Sequence, residues 1–412
     1  MPTPLPSQAV SLSAEVYRLA QATVTPTVAL AARRVGDAAA TGTLTVANSA
    51  AADGFSEGLR GTLGAAPSGF SVTGPASTGL LAAGTNTTRT VSLGTGTAGT
   101  FSGNINVALV SNGAGTSGFG DLALTSQISA VSGKVYAPAA GTVAPALVDF
   151  GVVRVGDTVT AKNITINNTA ATAALNDTLG ASLSGVSGPF VPGAAAAGIV
   201  AGGSGLISIG INTTAATPLT TQAGSVALSS HNADMSDLAL GSAGVLVRAQ
   251  INNLANADFD FLSGLGTLSQ SGTAYTLDLG LITLGSSVVS RLQLDNDVAG
   301  PADDLSGLFD LLAADDFSYA GWGPVGPLGA GQATGNLNIS FTASALGLIS
   351  DTVVFNGRGT NASDPSGRAQ TRTLIIRGNV INVGGTVPEP GTLALLLVAA
   401  LGAAVARRRQ AH

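Results

Sequence analysis

Cysteine is absent from this 412-residue chain, which excludes disulfide staples, thiolate catalysis and cysteine-ligated zinc. Histidine occurs only at His231 and at the terminal His412. No Ser-His-Asp set can therefore form except around His231, and no G-x-S-x-G elbow accompanies it. Glutamate stands only at Glu15, Glu57 and Glu389, and charged residues make up 10% of the chain. So thin a supply of Glu and Lys argues against helical bundles. Aromatics are also scarce, at 4%, and the net charge of −6 comes without a basic patch, so nucleic acid is not an expected partner.

What fills the chain instead is Gly, Ala, Thr, Ser and Asn, arranged in alternating runs such as TLTV, NITIN, LISIGIN and NLNISF. Period-two alternation buries one face of a strand, and the Gly, Asn and Pro between runs supply turns. A longer period, of roughly 120 residues, lies on top. ARRVGD at 32–37 returns as VRVGD at 153–157 and loosely as ITLGS at 282–286, each followed by an alternating stretch. VALVSNG at 107–113 recurs as VALSSHN at 226–232 and VVFNGRG at 353–359, in the same order. Units of this size made of short strands predict an all-β chain of tandem immunoglobulin-like β-sandwiches, without the Cys and Trp marks of antibody domains. The expected division is sandwich 1 at 18–136, sandwich 2 at 137–256 and a diverged sandwich 3 at 257–383.

The stretch VDFGVVRVGDTVTAKNITINNTA at 148–170 resembles the opening of the bacterial choice-of-anchor D domains, relatives of the Hydin-type immunoglobulin-like fold. The resemblance covers residues 18–256 and thins over the third unit, where the turn reads LGS. It implies fold and a cell-surface context, not an activity.

Few motifs could carry chemistry. G-x-G-x-x-G occurs at 94–99, 113–118 and 321–326 in a chain with 56 glycines, and none leads from a strand into an apolar-periodic helix as a dinucleotide site requires. Acidic clusters are the one candidate: Asp295, Asp297, Asp303 and Asp304 in LDNDVAGPADDLSG, then Asp315 and Asp316 in LLAADDFSYAGW. Oxygen-rich loops suit Ca²⁺, and Asp295 and Asp297 are its candidate ligands, although Ala299 and Ser306 break the EF-hand pattern. The plainer alternative is a solvated acidic loop. No other metal or cofactor is expected.

The chain closes with VPEPGTLALLLVAALGAAVARRRQAH. Pro388 and Pro390 hold the segment around Glu389 extended. Residues 392–406 carry no charge, and as a helix they would span about 22 Å at ~1.5 Å per residue, short of the roughly 30 Å of a bilayer core but workable with thinning and snorkelling. Arg407, Arg408 and Arg409 follow as a membrane stop on the cytoplasmic side, which places the bulk of the chain outside. This order, residues 384–412, resembles the PEP-CTERM sorting signal of Gram-negative bacteria. The resemblance implies export, transient anchoring in the inner membrane, processing near Pro388-Glu389-Pro390 by an exosortase-type enzyme, and release to the surface or beyond, in association with exopolysaccharide and biofilm.

The segment MPTPLPSQAVSLSAEVYRLAQ has neither a basic n-region nor an apolar h-region, so it is not a secretion signal. Its SQAVSLSAEVYR matches SQISAVSGKVYA at 126–137, the segment that closes unit one. Residues 1–17 thus read as the closing strand of an upstream repeat, with a truncated or misassigned start. The expected function is a non-enzymatic exported surface or matrix protein. The alternative is a carbohydrate- or calcium-dependent adhesin, its surface placed around Trp322 and the Asp loops; a hydrolase lacks convergent residues.

Overall fold

The computed structural model describes residues 1–312 and 316–382. Over these the chain forms 29 strands and no helix, as the alternating pattern dictates. Residues 1–16 are exposed and belong to no strand. Six sheets follow one another along the sequence, and they repeat one strand order three times, with an added edge strand, Thr267–Ser271, in the last. The protein is a tandem array of immunoglobulin-like β-sandwiches.

By contact density the chain divides into two compact units. The first comprises residues 1–148, 161–210 and 222–246. Its opening repeat has a four-stranded sheet in the order Ala22–Val24, Ala40–Asn48, Asn86–Leu93, Phe70–Val72. The facing sheet runs Thr27–Ala29, Leu122–Tyr136, Gly99–Asn112, Gly58–Leu63, Ser77–Leu81, with Arg33–Arg34 also beside Leu122–Tyr136. Pro26 lies between Val24 and Thr27, and having no N–H to donate it lets the chain leave the first sheet and join the second. Thr27–Ala29 and Arg33–Arg34 pair parallel with Leu122–Tyr136, whereas the hairpin Gly99–Asn112/Leu122–Tyr136 is antiparallel. Alternation does the packing: Leu44, Val46, Val91, Leu93, Ile105, Val107 and Val135 all fall at 0% exposure between the two sheets. Each such side chain contributes about 1.5–3 kcal/mol of burial.

The sheets of residues 141–252 keep the same orders. One is Gly141–Ala144, Lys162–Asn168, Ser204–Ile211, Phe190–Pro192; the other is Leu147–Arg154, Leu238–Asn252, Thr217–His231, Thr178–Ser184, Ala196–Ile199.

The second unit comprises residues 149–160, 211–221 and 247–412, of which 313–315 and 383–412 are not described. Its last repeat orders Ala257–Gly264, Ser287–Asn296, Leu337–Thr342, Phe317–Ala320 in one sheet. The other runs Thr267–Ser271, Ala274–Thr283, Asp364–Ile381, Gly347–Asn361, Asp304–Leu312, Val325–Leu328. The third repeat, faint in sequence, is therefore complete in topology. Its core is aromatic, with Phe259, Tyr275, Trp322, Phe341 and Phe355 buried together.

Candidate functional site

The R-V-G-D turn that marks the repeat is a built structure. Gly36, Gly156 and Gly285 sit at φ of 89°, 81° and 83°, a left-handed conformation open to glycine and costly for residues with a Cβ. In the first two repeats the aspartate closes the turn on the arginine's own backbone. The amide of Arg34 donates to Asp37 Oδ2 at 2.7 Å and that of Arg154 to Asp157 Oδ2 at 3.0 Å. The arginine side chain is thereby aimed away from its own repeat.

Each guanidinium enters a buried carboxylate site in the repeat that follows. Arg34 Nε donates to Asp177 Oδ2 at 2.6 Å, and its terminal nitrogen donates to the carbonyls of Ser230 and Ser236. Asp177 also accepts from Ser230 Oγ at 2.8 Å and Asn232 Nδ2 at 2.6 Å. Arg154 Nε donates to Asp303, one terminal nitrogen reaches Asp364 Oδ2 at 2.7 Å, and the other donates to the carbonyl of Gly359. Asp303 is completed by Asn252 Nδ2 at 3.1 Å and Asn361 Nδ2 at 2.9 Å. Arg34 and Arg154 are 7% and 4% exposed, while Asp177 and Asp303 are 0% exposed. Charges this deep are tolerated because every partner is in place.

A buried asparagine fixes the carboxylate's strand. Asn296 Nδ2 donates to the carbonyls of Asp303 and Leu328, both at 2.9 Å. Asn48 in repeat one does the same to Glu57 and Leu81. These residues close the NITINN-type strand, where the sequence showed a run of asparagines without revealing its purpose.

Reading the cluster around Asp303 as a solvated loop is thus corrected: Asp303 is fully buried because Arg154 neutralises it. Asp304 is exposed on the neighbouring strand, Asp316 accepts from Ser344 Oγ, and Asp315 lies outside the described residues. The placement of a binding surface at Trp322 is also corrected. Trp322 is 7% exposed, its indole N–H donates to the Asn338 carbonyl at 3.0 Å, and Phe259, Phe309 and Tyr319 pack around it with ring centroids 4.9–6.1 Å away. The aromatics of this repeat go to the core or pack against it.

The calcium candidates separate. Asp295 lies on Ser287–Asn296 directly opposite Asp258. Desolvation, then repulsion from Asp260, Asp258 and Asp297, pushes its carboxyl up to about 6, and its Oδ1 is buried without a hydrogen-bond partner. Asp297 is exposed; its backbone amide donates to the Asn256 carbonyl and its own carbonyl accepts from Asn256 Nδ2 at 3.1 Å. Asp258 accepts from the Tyr275 hydroxyl and Asp260 from Gln293 Nε2. Among the described residues no group of three or more acidic or histidine side chains is arranged to hold a metal ion. His231 is exposed and pairs with Asp237 at 2.6 Å.

The sorting residues Pro388, Glu389 and Pro390, the apolar run 392–406 and Arg407, Arg408 and Arg409 all lie outside the described residues. Here sequence comparison decides: residues 386–410 match the PEP-CTERM protein-sorting motif. A tail of this kind implies an exported protein processed at a membrane. No curated protein matches the chain. Similar solved structures are all-β. Protocadherin Gamma B7 extracellular cadherin domains 1–4 are 10% identical, with 86% of this chain and 75% of that one covered, at a TM-score of 0.34. The Escherichia coli adhesin FdeC is 16% identical, with 90% and 100% covered, at 0.25. The ASH/PapD-like domain 7 of human CEP192 is 12% identical, with 32% and 99% covered, at 0.23. At these scores the likenesses carry no argument about function, and the fold rests on the strand order itself.

Proposed function

We propose that this is a non-enzymatic exported surface or matrix protein. In this reading three sandwiches, 18–136, 137–256 and 257–383, are the exported cargo, and the tail is a delivery device. The sorting motif at 386–410 is the observation that carries it. An exosortase-type enzyme cleaves near Pro388-Glu389-Pro390 after 392–406 has lodged in the inner membrane and Arg407, Arg408 and Arg409 have stopped transfer. The released array associates with exopolysaccharide, for which its neutral Thr, Ser and Asn faces offer hydrogen-bonding groups. The test is the mass of the mature protein in its native host. Loss of the tail supports the reading, and an exported form still ending at His412 refutes it.

A second reading, a calcium-dependent adhesin, is favoured by the unpartnered Oδ1 of Asp295. Calorimetry of the whole protein at millimolar Ca²⁺ tests it. Heat abolished by Asp295→Asn with Asp297→Asn supports a site, and no heat discards it.

A further inference from the structure

Two of the three repeats receive an arginine from the repeat before them. The same position exists in the first repeat, and it is built to the same plan. A parallel bridge joins Arg18 to Ser56, as it joins Ala137 to Asn176 and Asn253 to Ala302. The amide of Glu57 donates to the Arg18 carbonyl at 2.9 Å, as Asp177 does to Ala137 and Asp303 to Asn253. Ser111 Oγ accepts from the amide of Ala20 and donates to Glu57 Oε2 at 2.7 Å; Ser230 Oγ does the same between Ala139 and Asp177. Glu57 therefore occupies the carboxylate position of the two arginine sockets.

It has the burial but not the guanidinium. Glu57 is 4% exposed, and its other oxygen accepts only from Ser117 Oγ at 2.6 Å. Arg18 turns its side chain to Asp53 instead, and among the described residues no cation pairs with Glu57. A carboxylate offers about four acceptor sites, and two hydroxyls leave it without the counter-charge that its equivalents enjoy. The surroundings are unfinished as well. The Oγ of Ser56, the preceding residue, is buried with no partner, and Phe55 and Phe119 are 45% and 73% exposed.

The geometry points to Glu57 as an open docking socket for an arginine on an R-V-G-D-type turn of another immunoglobulin-like sandwich. The occupant is defined by what fills the two equivalent sockets. A second copy of the described chain does not qualify: Arg34 and Arg154 are both engaged, and the third turn carries Thr283 in place of arginine. This inference rests on the repeat geometry and stands apart from the sorting reading.

The test is titration of the full-length protein with a cyclised peptide of residues 31–38, AARRVGDA, followed by calorimetry. Saturable binding is expected, weakened about ten-fold or more by Arg34→Ala in the peptide and by Glu57→Gln in the protein. Arg33→Ala in the peptide should be tolerated. Glu57→Asp, which installs the carboxylate of the other two sockets, should bind at least as well as the native protein and keeps the test valid if Glu57→Gln unfolds. No saturation by about 10 mM peptide, or equal binding to the Glu57→Gln and native proteins, would show that loop 113–121 seals the socket and would overturn the proposal.

Discussion

Removing Arg154 should destabilise the second compact unit far more than its place in a turn motif suggests. Arg154 and Asp303 are 4% and 0% exposed, so Arg154→Ala strands a carboxylate that water cannot reach. Losing one partner of such a pair costs about 3–5 kcal/mol. Asn252 and Asn361 continue to donate to Asp303, which puts the expected loss near ~3 kcal/mol. Arg154→Lys should recover only part of it, because one ammonium cannot serve Asp303, Asp364 and the Gly359 carbonyl at once. The assay is urea unfolding followed by fluorescence of Trp322, the single tryptophan, which lies in this unit. A double-mutant cycle with Asp303→Asn should show coupling of about 2 kcal/mol or more. Arg368→Ala, which removes the exposed pair with Asp157, is the control and should cost below about 1 kcal/mol. A loss under ~1 kcal/mol for Arg154→Ala, or additivity within ~0.5 kcal/mol, would refute the reasoning.

Trp322→Ala should cost about 3–5 kcal/mol and leave any glycan binding unchanged on an array, since the ring is core rather than platform. Asp295 has a raised carboxyl pKa, so its stabilising contribution is full below the ordinary value of 3.8 and is lost as pH rises through about 6. Asp295→Asn should therefore stabilise the protein at pH 8 by ~1–2 kcal/mol after allowance for partial exposure, and flatten the pH dependence of the melting temperature between 4 and 7; an unchanged profile would count against it. Asp364, held down to about 2 by Ser366, then Arg154 and the Gly367 amide, should titrate nearer the ordinary carboxylate value in Arg154→Ala, as carboxyl-carbon NMR would show. Replacing Pro388, Glu389 and Pro390 with Ala should leave the protein unprocessed in membranes, and Arg407, Arg408 and Arg409 to Ser should release the stop, with thermal unfolding unchanged in both.

Local chemistry decided much of this protein in the sequence itself. Alternating runs dictate strands because a strand has period two, and a tail of proline, apolar run and arginines carries its address without needing a fold. The 120-residue period was legible even where the third repeat had drifted to LGS, since Gly285 keeps the φ that the turn requires. What the sequence showed as a marker of repetition, the arginine of R-V-G-D, only the tertiary structure revealed as a pin. Arg34 lies 143 positions from Asp177, and Arg154 149 from Asp303, so no local pattern joins them. Whether an aspartate is solvated or sealed, as Asp297 and Asp303 differ within one loop, depends on which distant cation reaches it. The place of Trp322 was decided in the same way: Tyr319 is near it in sequence, but Phe259 and Phe309 meet the ring only through the fold.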